Sequence, residues 1–188
     1  MSTTLVFMRH AQATHNIDYY EKGTGRYTDP VYMDAELTDE GLKQATAMQD
    51  AFKNKTFDVI YCSPMRRCRA TLLASMPSAE ERRVHVVDAL IEQPAGHNMC
   101  DKRLERDFVV AACPSLWNCD DVADVNPFIK RSDAEEKKAI INFIDSVKGR
   151  GGTILLVTHY TWIYNMTKLV LGRHVSLDNC GLIEISFP

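Results

Sequence analysis

Apolar residues along this chain fall into two patterns, short unbroken runs and longer stretches with helical spacing. Leu5-Val6-Phe7-Met8 is the first unbroken run, and Phe57-Asp58-Val59-Ile60-Tyr61-Cys62, Val84-His85-Val86-Val87 and the very apolar Thr153 to Thr158 follow it. Runs this short, bounded by polar residues, predict buried strands. Helical patterns lie between them. Leu42, Ala45, Met48 and Phe52 recur behind Thr38, a capping residue, with Asp39 and Glu40 at the positive end of the dipole. Ser63-Pro64 predicts a second helix from Met65 to about Met76, with serine as its cap and proline in its first turn. Ser132-Asp133-Ala134-Glu135 is a capping box before Ile140, Ile141, Ile144 and Val147, and Gly149, Gly151 and Gly152 end that helix. Tyr160 to Leu171 reads as a last helix stopped by Gly172, and Gly181 to Phe187 alternates like an edge strand. Strands alternating with helices predict a single α/β domain of three layers. Its central sheet would be mostly parallel, with helices on both faces and the active site at the strand carboxyl ends.

No repeat, low-complexity tract or linker interrupts residues 1–188, which therefore read as one domain. Two irregular stretches stand out. Glu21 to Asp34, with Gly23, Gly25 and Pro30, is turn-prone and predicts a surface loop. Residues 93–131 contain Pro94, Pro114, Pro127 and Trp117 and predict a lid-like excursion, partly helical around Asp101 to Ala111. Within it, Lys102, Arg103 and Arg106 are either a site for a second anionic group on a substrate or a solvated basic helix face.

Composition narrows the function. An apolar fraction of 45% and a charged fraction of 25% are those of a globular protein, and a net charge of -3 argues against nonspecific nucleic-acid binding. No run approaches the length of a membrane span, and Met1-Ser2-Thr3-Thr4 has no basic signal region. The six cysteines form no C-x-x-C pair and are too sparse for a disulfide scaffold, so the expectation is reduced thiols and a cytoplasmic protein. His97 and Cys100 have ligand-like spacing but no paired knuckle, and no metal site is expected.

The chemistry is concentrated where strands end. Arg9 and His10 follow the first strand, Ser63 and Arg67 the second, and His159 the fourth. Two histidines and two arginines around one point suit phosphoryl transfer. A neutral imidazole attacks phosphorus, and guanidinium groups fork its oxygens and depress the imidazole pKa. Arg66 and Arg69 are expected to point elsewhere, into solvent. A poor alkoxide leaving group needs a proton, for which Glu92 is the candidate, provided burial or a neighbouring carboxylate raises its pKa.

These residues resemble a known family. Arg9-His10-Ala11-Gln12-Ala13-Thr14-His15-Asn16 resembles the R-H-G-E-x-x-x-N signature of the histidine phosphatase superfamily, the phosphoglycerate mutase-like proteins. Thr28-Asp29-Pro30 through Leu37-Thr38-Asp39-Glu40-Gly41-Leu42-Lys43-Gln44-Ala45 is similar to its D-x-x-L-T-x-x-G-x-x-Q-A segment, and Ser63-Pro64-Met65-Arg66-Arg67 with Thr71 to its S-P-L-x-R-x-x-x-T. Leu90-Ile91-Glu92 resembles the stretch carrying its proton donor, and Val157-Thr158-His159 its V-T-H. The resemblance implies that His10 is transiently phosphorylated and that Arg9, Arg67, His159 and Asn16 hold phosphate. It also implies that Glu92 is first acid and then base, and Tyr160 is counted with the substrate-binding residues. No cofactor is implied, the partner is a small phosphorylated substrate, and nothing indicates an oligomeric state. Ala11, Gln12 and Tyr160 stand where the family commonly has glycine, glutamate and glycine. The change at Gln12 removes a negative charge and predicts a more positive pocket, while His15 is a substrate contact or a surface residue.

The activity expected is metal-independent hydrolysis of phosphomonoesters through a phosphohistidine. One alternative is a bisphosphate-primed phosphoglycerate mutase, although the glycolytic mutases of this family are longer. Another is a non-catalytic phosphate-binding protein.

Overall fold

The structure, a computed structural model, describes residues 2–17, 27–124 and 130–188. The expectations for Glu21 to Arg26 and for Pro127 lie outside the described residues. Among the described residues, five strands form one sheet in the order β3-β2-β4-β1-β5. They are β1 (Thr3–Arg9), β2 (Val59–Cys62), β3 (Val84–Val86), β4 (Gly152–Thr158) and β5 (Leu182–Phe187). All pairings are parallel except that of β5, which runs antiparallel along β1 at the sheet edge. The fold class is therefore that of the α/β expectation.

Successive side chains of a strand point to opposite faces, and β1 divides its apolar run accordingly. Val6 and Met8 join Ile60, Leu155 and Val157 in a core under α1 (Asp39–Phe52) and α2 (Arg66–Ser75). Leu5 and Phe7 join Ile154, Leu156, Ile140 and Trp162 under the helices of the opposite face, α4 (Asp133–Val147) and α5 (Tyr160–Leu171). Burial on both faces explains the unbroken apolar runs of β1 and β4. At the edge, β5 alternates buried Ile185 with exposed Glu184 and Ser186.

Helix boundaries follow local chemistry. Thr38 caps α1, the Ser132–Glu135 capping box opens α4, and Gly172, with φ 72°, ends α5 in a left-handed conformation. Leu42 and Ile141, expected in the core, are exposed. In α1 the inward face is instead Gly41, Ala45 and Phe52. A side chain on Gly41 would put Cβ at 2.0 Å from the Gln12 carbonyl oxygen, so glycine is what lets α1 rest on the loop after β1.

The excursion holds a 3-10 turn at Met99–Asp101 and α3 (Arg106–Ala111), shorter than the helix expected. Both readings of its basic group fail at Arg103. That residue is buried and forks the Asp88 carboxylate at 2.8 and 3.0 Å, fastening the excursion to the turn after β3. Arg106 donates to the Val122 carbonyl (3.1 Å) and Lys102 to Met99 Sδ (3.3 Å). Among the described residues, no helix is long and apolar enough to cross a membrane.

Candidate active site

Neighbouring strands β2, β4 and β1 bring their carboxyl ends together. The ladder continues one step past them, with the Ser63 N–H on Val157 O (3.0 Å) and the His10 N–H on Thr158 O (2.9 Å). Ser63, His159 and His10 therefore stand in a row with the spacing of adjacent strands, about 4.8 Å. Arg67 enters from the first turn of α2 and is completely buried.

Hydrogen bonds fix the protonation of the row. A carbonyl only accepts, so the 2.7 Å contact of His10 Nδ1 with Ala11 O puts the proton on Nδ1 and leaves the Nε2 lone pair bare. Arg67 Nε–H is shared between His10 Nε2 (3.2 Å) and His159 Nδ1 (3.3 Å). His159 is then protonated on Nε2 and donates to Ser63 Oγ at 2.8 Å. Burial, followed by the Arg67 charge, holds both imidazoles well below 6.5, so both are neutral. His159 is thus a neutral group between Arg67 and Ser63. Arg67 Nη1 donates to Cys100 O at 2.7 Å, which brings the excursion to the site. Its Nη2 is buried with no hydrogen-bond partner among the described residues.

Glu92 lies across the start of α5. Oε1 accepts the N–H groups of Gln93 (2.9 Å) and Trp162 (3.2 Å), and Oε2 that of Thr161 (3.4 Å). These bonds and Arg67 favour the carboxylate, yet burial, then the neighbouring Asp101, push Glu92 up to about 7. Asp101 is the carboxylate that chemistry required and that no sequence signal marked. It is buried in the 3-10 turn of the excursion and accepts from Asn98 Nδ2 at 2.7 Å.

Arg9 Nη1 donates to Leu177 O (2.8 Å), and its guanidinium lies over the Tyr160 ring at 5.0 Å. Tyr160 thus packs against Arg9 while its hydroxyl meets Ser176 Oγ at 3.1 Å. Asn16 is buried, its Oδ1 accepting the Ala13 N–H at 3.0 Å and its Nδ2 facing His15 Nε2 at 3.2 Å. His15 is also buried, with its ring 5.9 Å from that of His10, so the surface alternative for it falls.

Several local expectations are corrected. Ser63 does not cap α2, because its backbone still belongs to the sheet ladder and its hydroxyl meets His159. The cap comes from Asp34, whose Oδ1 accepts the Arg66 N–H at 2.7 Å. Arg69 is buried rather than solvated, bonded to Pro64 O at 3.0 Å and 4.0 Å from Asp34, while Arg66 is exposed on Glu36. The Gln12 side-chain oxygen accepts from Thr38 Oγ1 at 2.8 Å, so its amide serves the start of α1. Ala11 has no positive φ and needs no glycine. Its N–H donates to Thr71 Oγ1 (3.0 Å), which in turn donates to Arg67 O (2.7 Å). Among the described residues, no group of three or more His, Cys, Asp or Glu side chains is arranged to hold a metal ion. A groove of about 590 Å³ lined by Arg83, Val110, Leu116 and Trp117 shares none of the residues of this row.

The family profile of the histidine phosphatase superfamily, branch 1, matches residues 5–187. The chain belongs to this superfamily. A probable phosphoglycerate mutase of Arthroderma benhamiae is 25% identical over 94% of this chain and 61% of its own length. This histidine phosphatase superfamily chain thus spans less than two thirds of that relative. A putative phosphoserine phosphatase 2 of Hydrogenobacter thermophilus is 28% identical over 96% of this chain and 88% of its own. The same fold is seen in the alpha-ribazole phosphatase of Shigella flexneri, with TM-score 0.68, 23% identity, and coverage of 97% of this chain and 89% of that one.

Proposed function

We propose that this histidine phosphatase superfamily member hydrolyses small phosphomonoesters through phosphorylated His10. The observation that carries the reading is the tautomer of His10, a neutral ring whose Nδ1–H is held by Ala11 O and whose Nε2 lone pair faces the Arg67 guanidinium. On substrate binding the phosphoryl oxygens take over the donors of Arg67 and Arg9, and Asn16 adds a contact. His10 Nε2 attacks phosphorus, the P–O ester bond breaks, and Glu92 gives its proton to the departing alkoxide. Glu92, now a carboxylate, takes a proton from water as that water attacks the phosphohistidine. The P–N bond breaks, phosphate leaves, and both His10 and Glu92 return to their starting states. The arginines neutralise the transferring group, so the route needs no metal. His159 and Ser63 hold the Arg67 guanidinium in place, and Tyr160 holds that of Arg9.

The relative named as a phosphoserine phosphatase makes phosphoserine the first member of a substrate panel with sugar and glycerol phosphates. All six cysteines are free, which supports a reducing, cytoplasmic setting. The relative named as a probable phosphoglycerate mutase supports a second reading, in which the phosphohistidine passes its phosphoryl group to a bound monophosphate, and the bisphosphate so formed gives its other phosphoryl group back to His10.

The test is phosphate release from p-nitrophenyl phosphate in excess chelator. Release is expected in the wild type and is expected to vanish in His10→Ala, with an acid-labile phosphoenzyme trapped only when His10 is present. Release that stops with chelator, or that survives His10→Ala, would overturn the route. Exchange of phosphoryl groups that depends on a bisphosphate primer, without net phosphate release, would select the mutase.

A further inference from the structure

We propose that His15 is a further substrate-binding residue, a neutral donor that gives its Nδ1–H to a phosphoryl oxygen in the pocket of His10 and Arg67. This inference rests on the reading of that pocket as a phosphoryl site. It follows from a chain of hydrogen bonds in which each step has one solution. The Ala13 backbone N–H donates to Asn16, so the atom it meets is the amide oxygen, Oδ1, and the other end of that amide is Nδ2. An amide nitrogen only donates, so His15 Nε2, 3.2 Å from it, must be the bare nitrogen of a neutral ring. The ring proton is therefore on Nδ1.

That Nδ1–H is buried and has no hydrogen-bond partner among the described residues. His15 is only 6% exposed, and its ring lies 5.9 Å from the His10 ring and 5.8 Å from that of Tyr27. Buried donors are normally satisfied, and those left without a protein acceptor need a reason. Arg67 Nη2 is in the same condition. Two buried donors beside one nucleophile, neither with an acceptor, complement a group that presents acceptors only, which is what a phosphoryl group does. The ring stays neutral because burial, then the charges of Arg67 and Arg9, push its pKa down to about 2. It therefore adds a hydrogen bond without adding charge, and leaves the attacking His10 lone pair unopposed by a third cation.

Inorganic phosphate is the probe, titrated calorimetrically into the wild type, His15→Leu and His15→Asn. Asparagine can place an N–H near the position of Nδ1, whereas leucine fills the space without a donor. Loss of a donor to a charged acceptor predicts phosphate binding weakened about tenfold in His15→Leu and largely restored in His15→Asn. A folded His15→Leu that binds phosphate as tightly as the wild type would overturn the proposal. The unaltered protein gives an independent reading that does not depend on the variants folding. Nitrogen NMR of the His15 ring should show the Nδ1–H tautomer, with the Nδ1 resonance moving as phosphate is added. An unmoved His15 resonance while that of His10 shifts would overturn the role of His15 and leave the phosphoryl pocket standing. No phosphate binding by the wild type would overturn both.

Discussion

Glu92 carries the sharpest consequences of any single side chain, because the proposed reaction uses it twice, as acid and then as base. With an alkyl phosphate, Glu92→Gln removes the proton needed by a poor leaving group, and kcat/KM should fall roughly 10²–10⁴-fold. Nitrophenolate leaves without a proton, so with p-nitrophenyl phosphate the first step should be nearly unaffected. The missing base should then expose a burst of one nitrophenol per site in stopped-flow, and a steady rate with no burst would count against the double role. The pH dependence has a definite sign. Burial and Asp101 raise Glu92 to about 7, so the acid form is lost above that value. On alkyl phosphates kcat/KM should decline tenfold per pH unit above about 7. Asp101→Asn removes the repulsion and should move that limb to lower pH, measurable in a buffered pH–rate series. His10, Arg67, Ser63 and His159 were legible as a group because each lies at or one turn past the end of an apolar run. The environment of Glu92 was not legible. It is made by N–H groups of α5, some 70 residues away along the chain, and by Asp101, which no pattern distinguishes.

The elements that carry these residues are joined by contacts between loops and helix ends. Asp34 is the acceptor at the start of α2, the helix that presents Arg67, and it adopts a left-handed φ of 48° to reach it. Asp34→Ala loses both the acceptor and the tolerance for that conformation, and should cost about 1–2 kcal/mol of stability by chemical denaturation. Asp34→Asn keeps both but takes the carboxylate away from buried Arg69, and should restore only part of that loss. A fully stable Asp34→Ala would show that α2 needs no acceptor there. The sequence rule that makes Ser63-Pro64 a helix start is sound for an isolated helix. It failed because the ladder with β4 holds Ser63 in the sheet, and the cap had to come from another part of the chain. Arg69 and Arg103 were misread for a related reason. A cationic side chain is normally solvated, and only a carboxylate brought from elsewhere, Asp34 or Asp88, permits its burial.

The molecule as a whole stores its site in an unusual protonation state. His10, His15 and His159 are all neutral and buried, with pKa values pushed below 6.5. The unfolded chain protonates all three as pH falls through 6.5 and the folded chain does not. Stability is therefore fully present above 6.5 and declines below it, by about 1.4 kcal/mol per pH unit for each such histidine. Glu92 opposes this between about 7 and its unfolded value, because its folded pKa is raised, and raised Asp34 and Asp101 oppose it too. Urea denaturation at pH 7.5, 6 and 5.5 should show a net loss, and His15→Asn should flatten the slope by one histidine's share. A slope unchanged in that variant would mean that His15 titrates alike folded and unfolded.

Strand runs, helix spacing, the α4 capping box and the Gly172 stop follow from interactions within a few residues of the chain, and they were readable from order and residue type alone. So was the convergence of three strand ends, since parallel strands joined by helices must end on the same edge. Protonation states, the cap on α2, the burial of Arg69 and Arg103, and the placement of Glu92 against Asp101 depend on which distant groups share a low-dielectric interior. Burial and Coulomb interaction act through space, so these properties existed only once the chain had folded.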